Sequence, residues 1–157
     1  MEEQQAINEF HLLSPAFRSG DKIPLRYTCK GQNVNPPLNI LHVPQGAKSL
    51  ALIMHDPDAV GQDFVHWLVW DISPSTETIA ANSVPVGAIQ GLNSAGQNGY
   101  MGPCPPPGTG AHRYMFELYA LDTNLSLSPG SDRQKLQETM KEHTLDQNIL
   151  TGLFSGD

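Results

Sequence analysis

Ser49-Leu-Ala-Leu-Ile-Met-His55, stopped at Asp56-Pro-Asp58 and followed by Phe64-Val-His-Trp-Leu-Val-Trp-Asp-Ile72, decides the fold class. The first run is almost continuously apolar and breaks at a proline, the pattern of a strand buried on both faces. The second sets Phe64, His66, Leu68, Trp70 and Ile72 on one side and Val65, Trp67, Val69 and Asp71 on the other. Both sets are largely apolar, so this strand is expected in the middle of packed layers. Farther along, residues 112–121 form the clearest strand, with Tyr114, Phe116, Leu118 and Ala120 on one face and Met115, Tyr119 and Leu121 on the other. Shorter β-prone runs cover residues 23–29 and 38–43. One helix is expected over about residues 132–143. Pro129-Gly130 opens it, Ser131 with Gln134 makes a capping box, and Leu136 with Met140 gives an apolar stripe.

The chain is therefore expected to be mainly β, and its 157 residues suit a single domain over 1–157 with one core. Its 13 prolines and 14 glycines agree with a loop-rich, strand-dominated architecture. The formal net charge is −7, and the nine Lys and Arg residues are read as unclustered. That balance leaves no basic face for nucleic acid and disfavours docking on anionic lipid. The opening stretch, MEEQQAINEFHLLSPAF, is acidic where a secretory signal carries lysines, and no run approaches the roughly 18 apolar residues of a membrane helix. Membrane insertion is not expected, and the cytoplasm is the expected compartment. Cys29 and Cys104 are too few for a disulfide scaffold and lack metal-ligand spacing; reduced thiols are the default and one bridge the alternative.

The candidate chemistry gathers at strand ends. Asp56 closes one strand, His66 lies within the next, His112 opens the third, and Tyr114 projects on the same face as His112. If these strands are neighbours, four polar side chains converge beside a long loop, residues 91–110, stiffened by Gly102-Pro-Cys-Pro-Pro-Pro-Gly108. Each residue alone has an ordinary reading: His66 a hydrogen-bonded core histidine, Asp-Pro-Asp a turn, and Arg113 a structural ion pair with Asp56 or Asp58. Their coincidence favours a pocket. Catalytic signals are weak. There is no G-x-S-x-G elbow, Cys104 has no helix N-terminus to activate it, and the glycine pairs at 96/99 and 108/110 lack a strand–helix context. A metal site of His66, His112 and Asp56 has scattered spacing. No enzymatic activity, metal or cofactor is expected. The alternative is a hydrolase using His66 and His112 as acid and base, with metal assistance.

Asp56-Pro-Asp-Ala with Phe64-Val-His-Trp67 resembles the first motif of the phosphatidylethanolamine-binding proteins. Gly99-Tyr-Met-Gly-Pro-Cys-Pro-Pro-Pro-Gly-Thr-Gly-Ala-His-Arg-Tyr114 resembles their second motif, in its bacterial and archaeal form. Tyr27-Thr-Cys-Lys-Gly-Gln-Asn33, Pro36-Pro-Leu38 and Leu118-Tyr-Ala-Leu-Asp122 also resemble that branch, so the likeness spans roughly residues 10–154. It implies a large antiparallel sheet packed on a smaller one, with peripheral helices, and a pocket for a small anion or phosphorylated headgroup. By position it assigns the pocket to Asp56, His66, His112 and Tyr114, its loop wall to Cys104 and Pro106, and polar support to Asp58 and Arg113. It also implies regulation of a protein partner in the manner of kinase-inhibitor-like members. Three positions depart from the family pattern: Val60 replaces a proline and is expected to loosen the rim, Ser94 replaces an acid, and His55 replaces an acid beside Asp56. Physically, the imidazoles, the Tyr114 hydroxyl and loop amides can donate to phosphate oxygens. Asp56 is expected to orient a histidine and favour its charged form. A homodimer through edge strands and Trp67 or Trp70 is a further expectation.

Overall fold

The computed structural model describes residues 8–157, so the acidic start, residues 1–7, lies outside the described residues. Two antiparallel sheets carry the fold. The large one has the order β6(Ile89–Gln90)-β4(Phe64–Ile72)-β3(Ser49–Asp56)-β7(Ala111–Leu121)-β8(Thr144–Ser155). The small one is β1(His11–Leu13)-β2(Leu38–Leu41)-β5(Thr78–Ile79). The doubly buried reading of residues 49–55 holds, since every residue of β3 is buried. Its alternating side chains divide between two cores. Leu50, Leu52 and Met54 join Trp67, Val69, Phe116, Leu118 and the small sheet's Leu12, Leu38 and Ile40. Ala51 and Ile53 join Leu68, Trp70, Tyr119 and Leu121 under helix α1(Arg133–Met140), which contributes Leu136 and Met140. The two faces expected for β7 are the two observed.

β4 departs from simple alternation. Its pairing with β3 runs Met54↔Trp67 and then His55↔Val65, which leaves His66 as an extra residue. Such a bulge lets two successive side chains face the same side and re-aims them. His66 and Trp67 therefore both face the small sheet, while Val65 turns to the helix side. A second shift between Leu50 and Leu52 places Trp70 and Asp71 together on the helix side, with Asp71 at φ 53° and its carboxylate accepting the Leu125 and Ser126 amides.

Several expectations are corrected. Residues 23–29 are not a strand; Leu25–Tyr27 is a 3-10 turn, entered through Pro24, which fixes its own φ and has no N–H for a ladder. The helix is shorter than expected, and its cap is Asp132, whose side chain accepts from the Lys135 amide, rather than Ser131. Residues 144–155, given no element from the sequence, form the longest strand. Trp67 and Trp70 are fully buried, so neither can meet a partner molecule. The cations of residues 18–30 are less scattered than their sequence spacing indicates, because Lys22 and Lys30 both stand over the Phe154 ring, at 6.0 and 5.9 Å.

Candidate functional site

Antiparallel pairing brings the end of β3 and the starts of β4 and β7 to one end of the large sheet, on the face turned toward the small sheet. Asp56 and Phe64 are paired there, and His112 and Tyr114 come from β7. A cavity of about 190 Å³ opens between them, walled by Met101, Gly102, Cys104, Pro105 and Pro106, with Ala59 and Val60 at the rim. Drug-sized ligands occupy roughly 300–1,000 Å³, so this space suits a smaller group. A wider groove of about 700 Å³ runs along residues 39–43 and 74–78, but among the described residues its titratable lining is His42 and Glu77 alone. Buried polar side chains converge in the smaller cavity, and that decides between the two.

Asp56, 3% exposed, is fully engaged: one oxygen accepts the Asp58 amide at 2.8 Å, the other the Nδ1 of His112 at 2.7 Å. The orienting role expected of Asp56 is thus exerted on His112. The far nitrogen of His112, Nε2, lies 2.8 Å from the Thr109 hydroxyl, which also lies 2.7 Å from the Pro106 carbonyl. His66 donates Nδ1–H to the Met101 carbonyl at 2.6 Å, leaving Nε2 without its proton when the ring is neutral. Burial pushes the His66 pKa below the usual histidine value, against the pull of that carbonyl. Burial, helped by the Asp56 charge, likewise keeps the Tyr114 hydroxyl protonated. The His66 and Tyr114 rings meet edge-on at 5.3 Å, and Phe64 closes on His66 at 4.9 Å.

The wall reaches this position through close backbone contact. Gly102 donates to the Asn33 side chain at 2.8 Å, and a Cβ there would stand 2.4 Å from that oxygen and 2.5 Å from the Tyr27 carbonyl. The loop turns into β7 through Gly108 and Gly110, at φ 84° and 78°, a left-handed backbone that favours glycine.

With this geometry in view, comparison with known proteins gives a consistent answer. The family model described as phosphatidylethanolamine-binding protein matches residues 13–155. The chain belongs to that family. A UPF0098 protein of Methanothermobacter thermautotrophicus is 45% identical over 149 residues, covering 92% of this chain and 97% of the relative. A Mycobacterium tuberculosis protein named as a candidate lipoprotein, LppC, is 43% identical over 92% of this chain and 72% of its own length. Among solved structures, a candidate homologue from Chlamydia trachomatis superposes with TM-score 0.91 at 40% identity, covering 96% of this chain and 99% of that one. Escherichia coli YbcL, described as a member of the mammalian family, superposes with TM-score 0.88 at 28% identity, covering 94% of this chain and 98% of that one.

Within this phosphatidylethanolamine-binding protein fold, all six residues assigned to the pocket line the cavity: Asp56, His66, Cys104, Pro106, His112 and Tyr114. Arg113 resolves its two options in favour of Asp58, through Nε at 2.9 Å and a terminal nitrogen at 3.0 Å, while its amide also donates to that carboxylate. These bonds hold the Asp58 pKa at about 2. Ser94 does not face the pocket but exchanges hydrogen bonds with Val65, its hydroxyl accepting the Val65 amide at 2.8 Å. Val60 stands at the rim, 74% exposed.

Two corrections follow. Cys29 and Cys104 are joined as a disulfide, so the default of reduced thiols gives way to its alternative. His55 does not line the pocket. It points to the helix side, where Nδ1 donates to Asp63 at 2.9 Å and Nε2 donates to Glu117. Arg133 at the helix start pairs with Asp63 at 2.8 Å, and the Tyr119 hydroxyl donates to Glu117. Burial opposes charging of His55, but the two carboxylates outweigh it and raise the pKa. Burial likewise opposes charging of Asp63 and Glu117, yet Arg133, His55 and Tyr119 bring both below the usual carboxylate range. The sequence reading missed this network. Its legible signal was Glu117, a lone acid on the strand face it shares with Met115, Tyr119 and Leu121.

Proposed function

We propose that this chain is a binding protein for a small anion or a phosphate-bearing headgroup, and not an enzyme. The observation that carries the reading is the convergence of His66, His112, Tyr114 and Asp56 on a cavity of about 190 Å³. The rim adds apolar surface from Val60, Phe64, Met101 and the prolines, which suits a carbon group attached to the anion. The family name points to the same chemistry. The hydrolase alternative is weakened by occupancy: Asp56 takes one nitrogen of His112, Thr109 sits on the other, and Met101 takes one of His66. The Thr109 hydroxyl beside His112 Nε2 also lies on the Pro106 carbonyl, and Cys104 of the described lining is held in a disulfide, so neither side chain is a free nucleophile. Regulation of a protein partner is kept as a secondary role of the same pocket. The disulfide favours an oxidising compartment over the cytoplasm expected from the sequence. No helix among the described residues is long and apolar enough to cross a membrane.

The test is calorimetric titration with sulfate, inorganic phosphate and phosphoethanolamine. Because burial depresses the His66 pKa, its Nε2 becomes a donor only when pH falls below the usual histidine value of 6.5. Affinity is expected to rise with acidity even for sulfate, whose own charge stays constant there. His66→Gln removes a charge-assisted contact of about 1.5–3 kcal/mol, which corresponds to roughly 10- to 150-fold in affinity. Wild-type protein that binds none of these anions at millimolar concentration rejects the reading. Phosphatase or esterase turnover that disappears in His112→Asn replaces it with the hydrolase.

A further inference from the structure

We propose that the Cys29–Cys104 bridge is a redox-modification site, reduced by a dithiol, whose opening weakens anion binding in the adjacent pocket. The inference rests on the pocket being an anion site. Cys104 lines the cavity, and both cysteine residues are exposed, so the bridge lies at the surface where a reductant can approach it.

The bridge does a job that backbone hydrogen bonds cannot do at this point. Between Gly102 and Gly108 the wall reads Pro103-Cys-Pro-Pro-Pro107, so Cys104 alone has an N–H to donate. At one end the wall is held where Gly102 donates to Asn33 and Pro103 accepts the Cys29 amide at 3.1 Å. At the other end Gly108 donates to the Asp157 carboxylate at 2.8 Å, and Gly156 packs so closely that a Cβ would meet the Pro105 carbonyl at 2.1 Å. Between these points, the covalent link to Cys29 sets where Cys104, Pro105 and Pro106 stand against the cavity. Opening the link leaves the end anchors in place. The expected result is a looser wall on an intact fold, and a pocket that must order its wall before it can hold an anion.

The chemistry balances. A thiolate of the dithiol attacks one sulfur of the bridge and forms a mixed disulfide, expelling the other cysteine as a thiolate that takes up a proton. The reductant's second thiol then displaces the remaining protein sulfur. Two electrons and two protons pass to Cys29 and Cys104, and the dithiol leaves as a cyclic disulfide. Linkage makes the effect reciprocal: an anion that prefers the bridged form makes the bridge harder to reduce by the same factor.

The experiment measures phosphate affinity of the full chain, oxidised and after reduction with dithiothreitol, with circular dichroism recorded on both forms. The midpoint potential of the bridge is then measured with and without saturating phosphate. The expected result is an unchanged fold, affinity lower by about fivefold to tenfold on reduction, and a potential about 30 mV more negative with phosphate for each tenfold difference in affinity. A Cys29→Ser/Cys104→Ser chain should match the reduced protein and ignore dithiothreitol; if that variant does not fold, reduced wild type supplies the comparison. Equal affinities in the two forms, a potential indifferent to phosphate, a bridge that native conditions do not reduce, or unfolding on reduction each overturns the proposal while leaving the pocket reading standing. Oxidised wild type that binds no phosphate overturns both.

Discussion

His55 and Asp56 are neighbours in the chain, yet their side chains leave β3 on opposite faces and enter two different buried polar clusters. On the helix side, both nitrogens of His55 face carboxylates, and Arg133 and Tyr119 pair with those carboxylates in turn. On the pocket side, His66 has one carbonyl partner and a second nitrogen facing a cavity, and the Asp56 carboxylate is spent on the Asp58 amide and His112. Burial is similar, since both histidines are 5% exposed. Their pKa values nonetheless move in opposite directions, upward for His55 and downward for His66. The difference is whether the protein itself supplies the counter-charge. A histidine already neutralised by its own fold has nothing left for a ligand. One held neutral by burial can gain a counter-ion from outside, and only the pocket side fits a binding role.

The strongest way to break this contrast is to remove His55. His55→Leu leaves Glu117 and Asp63 facing each other across a gap with only Arg133 to balance them. Removing one partner of a buried ion pair costs about 3–5 kcal/mol, and the lower end applies because Asp63 is 37% exposed. Denaturant unfolding should show a loss of about 3 kcal/mol, while calorimetry on the folded variant finds sulfate affinity unchanged. A stability loss under 1 kcal/mol would mean the network is not held by His55. A large change in sulfate affinity would mean that the two faces act as one site.

The pH dependence of stability sharpens the same contrast and should be smaller. His66 has a folded pKa below 6.5, so just under pH 6.5 the unfolded chain binds more protons, and stability falls as pH drops through that window. His55 has a folded pKa above 6.5, so its contribution is complete below pH 6.5 and is lost as pH rises through the raised value. His66→Gln should flatten the acid limb of the stability profile just below pH 6.5, and His55→Leu the limb above it. Asp63 and Glu117, held below their usual range, add a separate loss at lower pH as they protonate. Thermal unfolding across roughly pH 5–8 reads both limbs. If each variant leaves its own limb unchanged, the assignment of the two histidines is wrong.

The two faces were unequally legible in the sequence. The pocket could be read because its residues sit at strand ends within two compact motifs, and strand parity alone put His112 and Tyr114 on one face. Parity failed at β4, where the His66 bulge reverses the sides beyond it, and neither bulge leaves a glycine or proline as a mark. The helix-side network escaped because His55, Asp63, Glu117, Tyr119 and Arg133 lie on four separate segments, each an unremarkable surface-type residue until the sheet and helix bring them together. The bridge escaped for a related reason: Cys29 and Cys104 are separated by 75 positions, and no local spacing reports a contact of that range. β8 was missed because its opening residues, 144–147, are exposed on both faces and show no buried period.

The smallest effect concerns how the helix-side cluster is held in place. Arg133 is the first residue of α1, so the position of its guanidinium depends on where the helix begins. The sequence points to Ser131 as the cap, but the structure uses Asp132, whose carboxylate accepts the Lys135 amide at 3.0 Å. Ser131 contributes through its backbone instead, its carbonyl accepting the Leu92 amide at 2.9 Å. Replacing a capping side chain with alanine costs about 1 kcal/mol, so Asp132→Ala should destabilise by about that amount. Ser131→Ala keeps the backbone carbonyl and should cost less than about 0.5 kcal/mol, as surface substitutions away from special features do. Because α1 covers only the helix side, neither change should alter sulfate affinity or its pH dependence. If Asp132→Ala weakened binding, information would be passing through β3 from His55 to Asp56, and the sheet would be coupling its two polar ends instead of separating them.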